Sequence, residues 1–182
     1  HKEHLEKKDI IPNLHLKVGD DLVALLRYNP TMEYMAINPF TDTCYRVQFE
    51  EHEVLEVAPI ALTATNILLT PGFCDLQING GFGIDLNAPS LRVEDVIELN
   101  HRLLTQGVTA WCPTIITGSY EQMCRNLAMI DEACQTDELL DACVVGVHLE
   151  GPYLSAEDGA RGAHPAEHVR LPDAAEFANF QQ

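Results

Sequence analysis

The chain is poor in basic residues, because 11 Lys and Arg stand against 28 Asp and Glu and give a formal net charge of −17. A negative field of this size repels phosphate backbones and anionic lipid surfaces. We therefore expect neither a nucleic acid nor a membrane as a partner. A phosphorylated small molecule would need a local basic patch, which the sequence does not display.

Several other common signals are missing as well. No apolar run approaches the roughly 20 residues of a membrane helix, and the first residues, 1–8, are charged and lack an apolar signal region. The 6 cysteines are scattered without a Cys-x-x-Cys pair, which favours reduced thiols over a disulfide or zinc framework. Neither a dinucleotide-binding nor a phosphate-loop glycine pattern is present. These absences predict a cytoplasmic protein.

The first third of the chain has the pattern of a small β domain. Residues 1–13 are charged, and we expect them to form a frayed tail. Residues 14–70 contain short alternating runs such as 45–50, separated by turn residues as in 38–40. This pattern predicts a small antiparallel β domain over residues 14–70.

After Pro71 and Gly72 the pattern changes to strands and helices in alternation. Apolar runs within 73–81, 108–114 and 142–150 predict three strands, each followed by polar residues. Helices are expected over about 91–106, from Ser119 onward, where Gln122 fits a capping box, and near 172–173. The fold class is therefore α/β, with about three strand-helix units.

A closed (β/α)8 TIM-like barrel needs eight such units and about 250 residues. The fold is therefore either a small open α/β sheet or part of a larger barrel. The last predicted helix stops at residue 182, within its first turns. This favours a partial barrel, in which residues 71–182 are its truncated N-terminal part.

Glu150 is the most informative polar residue, because it follows a short apolar strand and precedes the turn residues Gly151 and Pro152. His148 and Glu150 alternate on that strand, so they point the same way. Chemistry in parallel α/β barrels lies at the carboxyl ends of the strands. A carboxylate fixed there can serve as an oxygen ligand for a divalent metal. The ordinary alternative is a solvated strand end.

Gln77 and Asn79 form a second pair with period two at a strand end. Their amides could bind a substrate or a metal-bound water, or simply satisfy backbone groups. The polar loop 155–164 follows the third strand and contributes Arg161 and His164, two cationic candidates close to Glu150. That loop could equally be an ordinary solvated surface.

Three ordered motifs carry a resemblance to a known family. They are residues 71–83, residues 107–109 with 113–114, and residues 148–152 with 162–165. Together they resemble the N-acetylglucosamine-6-phosphate deacetylases of the amidohydrolase superfamily, over about residues 69–170. The resemblance implies a distorted (β/α)8 barrel with a small β domain, assembled as a homodimer. It also implies hydrolysis of the N-acetyl group of N-acetylglucosamine 6-phosphate, to glucosamine 6-phosphate and acetate, in amino-sugar catabolism.

The resemblance also implies roles for individual residues. Glu150 would be a ligand of one divalent metal ion, which could be Zn, Mn, Co or Fe. Gln77 and Asn79 would occupy the place of the His-x-His metal pair found in many other amidohydrolases and would contact the substrate. Ala163 and His164 would contact the sugar.

The two metal-binding histidines and the catalytic Asp of this family lie on later strands and have no counterpart in this chain. We therefore expect the isolated chain to be inactive. Two alternatives remain open. One is another amidohydrolase that acts on a cyclic amide or N-acyl sugar, which the Gln-x-Asn pair argues against. The other is a non-catalytic truncated isoform that associates with partner chains.

Overall fold

The computed structural model describes residues 14–17, 31–50, 53–61, 64–65 and 67–181, and the chain divides into two compact units. The first unit contains the described residues up to Cys74 together with Leu103–Ala110. The second contains Asp75–Arg102 and the described residues from Trp111 onward. The expected frayed tail, 1–13, lies outside the described residues. The domain limits expected from the sequence stay predictions.

The first unit contains a five-stranded sheet with the order β1-β5-β2-β3-β4. Its strands are β1 Leu14–Lys17, β2 Thr31–Asn38, β3 Thr43–Glu50, β4 Glu53–Ile60 and β5 Leu68–Pro71. All of its pairings are antiparallel except β2 with β5, which meet in parallel. The small antiparallel sheet predicted from the sequence is therefore confirmed.

Alternation along β3 explains why this sheet forms. Val47 is fully buried and packs in a core cluster with Ala36 and Leu69. The neighbouring side chain of Arg46 is partly exposed and lies 3.1 Å from a carboxylate oxygen of Glu56. Successive residues of a strand point to opposite faces, so one face is apolar and the other carries paired charges.

The remaining elements are strands followed by helices, with two short strands and one short helix beyond the predicted set. They are β6 Phe73–Ile78, β7 Gly80–Gly81, β8 Ile84–Asp85, α1 Val93–Thr105, β9 Val108–Ile116, α2 Tyr120–Thr136, α3 Glu138–Cys143, β10 His148–Glu150 and α4 Ala174–Phe180. A three-stranded sheet has the order β10-β9-β6. Strands β9 and β10 are parallel, with Glu150 opposite Ile116. The protein is therefore a mixed α/β structure with a small antiparallel sheet and parallel strands.

Helix α2 begins where the sequence predicted. Ser119 is its N-cap, and the Ser119 side chain accepts a hydrogen bond from the backbone N–H of Gln122 at 3.2 Å. The amide of Gln122 instead donates to Asn126 at 2.8 Å, so the capping box is only half formed. None of the helices in the described part of the chain combines the length and apolarity needed to cross a bilayer.

The third predicted strand is much shorter than expected. Residues 142–143 end helix α3, whose N-cap Asp137 accepts a hydrogen bond from the N–H of Leu140 at 2.7 Å. Val144 forms one isolated parallel bridge with Trp111, and regular pairing begins only at His148. An apolar run does not distinguish a strand from a helix end by periodicity, and here the aspartate cap selects the helix.

A buried polar pair stabilises the second unit. The indole N–H of Trp111 on β9 donates to the amide oxygen of Asn100 on α1 at 2.9 Å, and both residues are 0% exposed. We expect Asn100→Ala to lower the free energy of unfolding by about 3 kcal/mol, because it leaves the indole N–H unpaired and opens a small cavity. Urea unfolding measures the loss. Glu98→Gln on the exposed face of α1 is the control, with an expected change within about 0.5 kcal/mol.

Candidate functional site

Glu150 is the last residue of β10, and its carboxylate is held by two amides from another strand end. Glu150 Oε2 accepts a hydrogen bond from Gln77 Nε2 at 2.9 Å and one from Asn79 Nδ2 at 3.3 Å. The Glu150 side chain is 32% exposed. The carboxylate therefore has a defined orientation and remains accessible to a ligand.

The two amides reach the same carboxylate because of where they lie on the chain. Gln77 is on β6, and Asn79 is the residue directly after that strand. The backbone N–H of Gln77 donates to Asp75 Oδ1 at 3.0 Å, which anchors the end of β6. Residues two apart on an extended segment face the same side, so both amides meet Glu150.

His164 lies on the other side of the Glu150 carboxylate. Its Nε2 is 3.8 Å from Glu150 Oε1, and its Nδ1 is 3.0 Å from the hydroxyl of Thr117. The side chain of His164 is 18% exposed. The cluster of Gln77, Asn79, Glu150 and His164, hereafter the Glu150 cluster, therefore combines one anion, two amides and one imidazole.

The loop that carries His164 is fixed by its own side chains. Arg161 Nη1 donates to the carbonyl oxygen of His164 at 2.7 Å, and its guanidinium forms a salt bridge with Asp158. Ala163 is exposed beside His164. The charge of Arg161 is therefore paired with Asp158 inside the loop. Its hydrogen bond to the carbonyl oxygen of His164 fixes the backbone that carries the imidazole.

A second anchor closes this loop near its end. Arg170 donates through Nε to both oxygens of Glu176 and through Nη1 to the carbonyl of Gly118 at 3.2 Å. These contacts with Arg170 lower the pKa of Glu176. Burial, and next the hydrogen bond to Glu176, raise the pKa of Tyr153 to about 12, so this phenol stays protonated. Arg170 therefore connects the loop to Gly118, after strand β9, and to Glu176 on helix α4.

His148 has a different partner from Glu150. Its Nδ1 lies 3.4 Å from the hydroxyl of Thr114, the residue opposite it on β9. The structure therefore brings together four of the five candidate site residues, namely Gln77, Asn79, Glu150 and His164. It places the fifth, Ala163, next to His164 in the loop.

The described residues do not complete a metal site. No group of three or more His, Cys, Asp and Glu side chains suited to an ion occurs in the part of the chain that the structure describes. Catalytic zinc sites use three protein ligands and one open position. The Glu150 cluster offers one fixed carboxylate, which fits a single corner of such a site.

Thr117 was missed by the sequence reasoning. It lies 47 residues from His164 and 33 from Glu150 in sequence, and a lone threonine after a strand gives no local signal. The capping pattern at Ser119, two residues later, was the feature of this segment that sequence could detect. Long-range pairing of this kind becomes visible only once the strands are placed.

Known proteins similar to this chain are named as deacetylases of N-acetylated amino-sugar phosphates. No protein-family model matches the chain. The N-acetylglucosamine-6-phosphate deacetylase of Bos taurus is 43% identical over 111 residues, which is 60% of this chain and 26% of that protein. The N-acetylgalactosamine-6-phosphate deacetylase of Shewanella is 38% identical over 107 residues, 58% of this chain and 25% of that protein. The matched segment thus spans about a quarter of these relatives.

The structure gives the same result. The crystal structure of N-acetylglucosamine-6-phosphate deacetylase from Thermotoga maritima superposes with a TM-score of 0.63 and 29% identity, over 82% of this chain and 39% of that chain. The resemblance to the N-acetylglucosamine-6-phosphate deacetylases is therefore confirmed.

Proposed function

We propose that this chain supplies the N-terminal part of the active site of an N-acetylglucosamine-6-phosphate deacetylase. Such an enzyme is a hydrolase that cleaves the N-acetyl group and releases acetate and glucosamine 6-phosphate, a step of amino-sugar metabolism. The observation that carries the proposal is the Glu150 cluster, whose residues lie in the sequence motifs that carry the resemblance. The deacetylase names of those relatives support the reaction type.

Each residue of the cluster has a role in this proposal. Glu150 is one ligand of a divalent metal ion, and the amide N–H groups of Gln77 and Asn79 hold its carboxylate in the binding orientation. Such outer partners of a ligand typically change metal affinity or activity by about 10- to 100-fold when removed. Ala163 and His164 lie at the edge of the cluster, where they contact the sugar.

The metal ion, when bound, supplies Lewis acidity toward the amide carbonyl and lowers the pKa of a water molecule. The described residues fit one ligand position, so the remaining ligands and the general base are outside the Glu150 cluster. This chain contributes one carboxylate ligand, that of Glu150, in a fixed orientation, and it positions the sugar beside that ligand. The identity of the ion, among Zn, Mn, Co and Fe, is set by the complete ligand set.

The same proposal extends to architecture. We propose that the strand-helix units of the second unit are part of a (β/α)8 barrel. The exposed apolar side chains of Leu76, Val145 and Val147, at 67%, 60% and 41% exposure, support this. Further strands and helices of a barrel would cover such residues. We also propose the homodimer and the cytoplasmic location expected from the sequence.

A second candidate substrate is the 4-epimer, N-acetylgalactosamine 6-phosphate. The 38% identity to the Shewanella protein named for that substrate favours it as the alternative. In either case Glu150 would bind the metal, and Ala163 and His164 would contact the sugar, so the Glu150 cluster alone does not distinguish the two epimers. The two sugars therefore have to be compared directly.

A chimaera tests the proposed function. Residues 69–170 of this chain replace the matching segment of the Bos taurus deacetylase, which keeps its own remaining residues. We expect metal-dependent acetate release from N-acetylglucosamine 6-phosphate, at a rate at least ~10-fold above that from the 4-epimer or the unphosphorylated sugar, since lost polar contacts cost this much or more. The isolated chain, which lacks a complete ligand set among its described residues, should release no acetate under the same conditions.

Two results would contradict the proposal. A folded chimaera that binds metal but releases no acetate from either sugar phosphate would exclude the deacetylase function of this segment. Faster turnover of the 4-epimer would reassign the substrate and leave the reaction type intact.

A further inference from the structure

Thr117 connects the two strands that end at the candidate site. It directly follows β9 and is only 3% exposed. Its backbone N–H donates to the carbonyl oxygen of Glu150 at 3.1 Å, which continues the parallel pairing of β9 and β10 by one residue. The backbone of Thr117 is therefore fixed by the same strand end that carries the carboxylate.

The hydroxyl of Thr117 has two neighbours. His164 Nδ1 lies at 3.0 Å, and the Glu150 carbonyl oxygen lies at 3.4 Å. That carbonyl already accepts the backbone N–H of Thr117. The hydroxyl has a single proton to donate, and the shorter of the two distances favours donation to His164 Nδ1 over the Glu150 carbonyl.

This donation decides where the imidazole carries its own proton. A neutral histidine has one N–H and one lone pair, and the partner of one nitrogen selects the state of the other. If Nδ1 accepts from Thr117, the ring proton lies on Nε2, which is 3.8 Å from Glu150 Oε1. The opposite tautomer would place the Nε2 lone pair against a carboxylate oxygen, which is repulsive.

We propose that Thr117 is a positioning residue that fixes neutral His164 as its Nε2–H tautomer. The imidazole then presents a hydrogen-bond donor beside the Glu150 carboxylate, suited to a hydroxyl, carbonyl or phosphate oxygen of a ligand. That this ligand is a sugar phosphate rests on the proposed function. The tautomer itself rests only on the geometry of Thr117, His164 and Glu150.

Two further features of the structure constrain the positions of Thr117 and His164. A Cβ atom at Gly151 would lie 2.0 Å from Thr117 Oγ1, so the hydroxyl occupies space that only glycine leaves free. Arg161 Nη1 fixes the backbone carbonyl of His164 at 2.7 Å. The imidazole is therefore constrained at its backbone as well as at its ring.

Nuclear magnetic resonance of the chain labelled with 15N-histidine tests the proposal. Long-range proton–nitrogen correlation at about pH 8.5 reports which ring nitrogen of His164 carries the proton. The His164 signals are identified as those that His164→Gln removes. We expect a protonated Nε2 and an unprotonated, hydrogen-bonded Nδ1 in the unmodified chain and in Thr117→Ser. In Thr117→Val, which has the same shape without the hydroxyl, the Nδ1 signal should move to higher nitrogen frequency as its hydrogen bond is lost.

The tautomer of His164 in the unmodified chain tests the proposal even if Thr117→Val does not fold. A protonated Nδ1, or an Nδ1 signal that is the same with serine and valine at position 117, would overturn the proposal. Neither readout involves acetate release, so a failure here leaves the deacetylase test unaffected, and the reverse also holds.

Discussion

Replacing Glu150 by Gln in the chimaera should lower kcat/KM for N-acetylglucosamine 6-phosphate by at least ~1000-fold, because the change removes the carboxylate that we propose as a metal ligand. The carboxylate is the sole anion within the Glu150 cluster, where two amides and an imidazole accompany it. A carboxamide keeps the shape of the side chain and loses its charge. Metal analysis of the purified protein should show the bound ion lost together with the activity.

The matched control for this substitution is Glu167→Gln, at an exposed position in the segment between β10 and α4. It makes the same chemical change at an exposed residue that is not part of the cluster, and both metal content and turnover should stay within about twofold of the unmodified chimaera. Full activity and full metal content in Glu150→Gln would remove Glu150 from the site and with it the main support for the proposed function.

The positions of Gln77 and Asn79 illustrate what the sequence can predict. Their period-two spacing at a strand end predicted a shared side, and both amides do reach one oxygen of Glu150. The prediction succeeds because the geometry of an extended strand fixes direction locally. Their partner Glu150 lies more than 70 residues away in sequence, so local spacing does not identify it. The expectation that these strand ends meet comes from the general geometry of parallel α/β folds.

The buried stripe of α2 shows the limit of local periodicity. Met123 and Ile130 are buried at helical spacing, and the polar residue Asn126 between them is buried on the same side of the helix. The amide nitrogen of Asn126 donates to the carbonyl oxygen of Leu86 at 2.9 Å, which gives that backbone carbonyl a hydrogen-bond partner. Hydrophobic patterns do not reveal a buried polar residue whose partner lies 40 residues away.

The region around β10 was harder to predict for a different reason. The apolar run 142–147 was expected to be one strand, whereas the pairing with β9 is regular only from His148 to Glu150. Val145 and Val147 are largely exposed, so burial does not enforce a regular strand there. The predicted strand end at Glu150 agrees with the structure, and the end of the run, not its beginning, positions His148 and Glu150.

Gly151 should be the position most sensitive to a small substitution. Its φ is +110°, a conformation that residues with a Cβ rarely adopt, and the added methyl of alanine would lie 2.0 Å from Thr117 Oγ1. We expect Gly151→Ala to lower the free energy of unfolding of the chain by about 3 kcal/mol or more, the sum of backbone strain and overpacking. Urea unfolding measures this loss.

Gly118→Ala is the matched control, because the nearest atom to its added Cβ is Met123 Cγ at 3.7 Å and the change should stay within about 1 kcal/mol. Thr117→Ala removes the hydroxyl that the new methyl would meet, so the loss in the double variant should be smaller than the sum of the single losses by about 1 kcal/mol or more. This coupling separates the steric contact from the backbone strain, since removing the hydroxyl relieves only the contact. Equal stability of Gly151→Ala and Gly118→Ala would show that Thr117 does not occupy the space beside Gly151, and the placement of His164 would then lose its support.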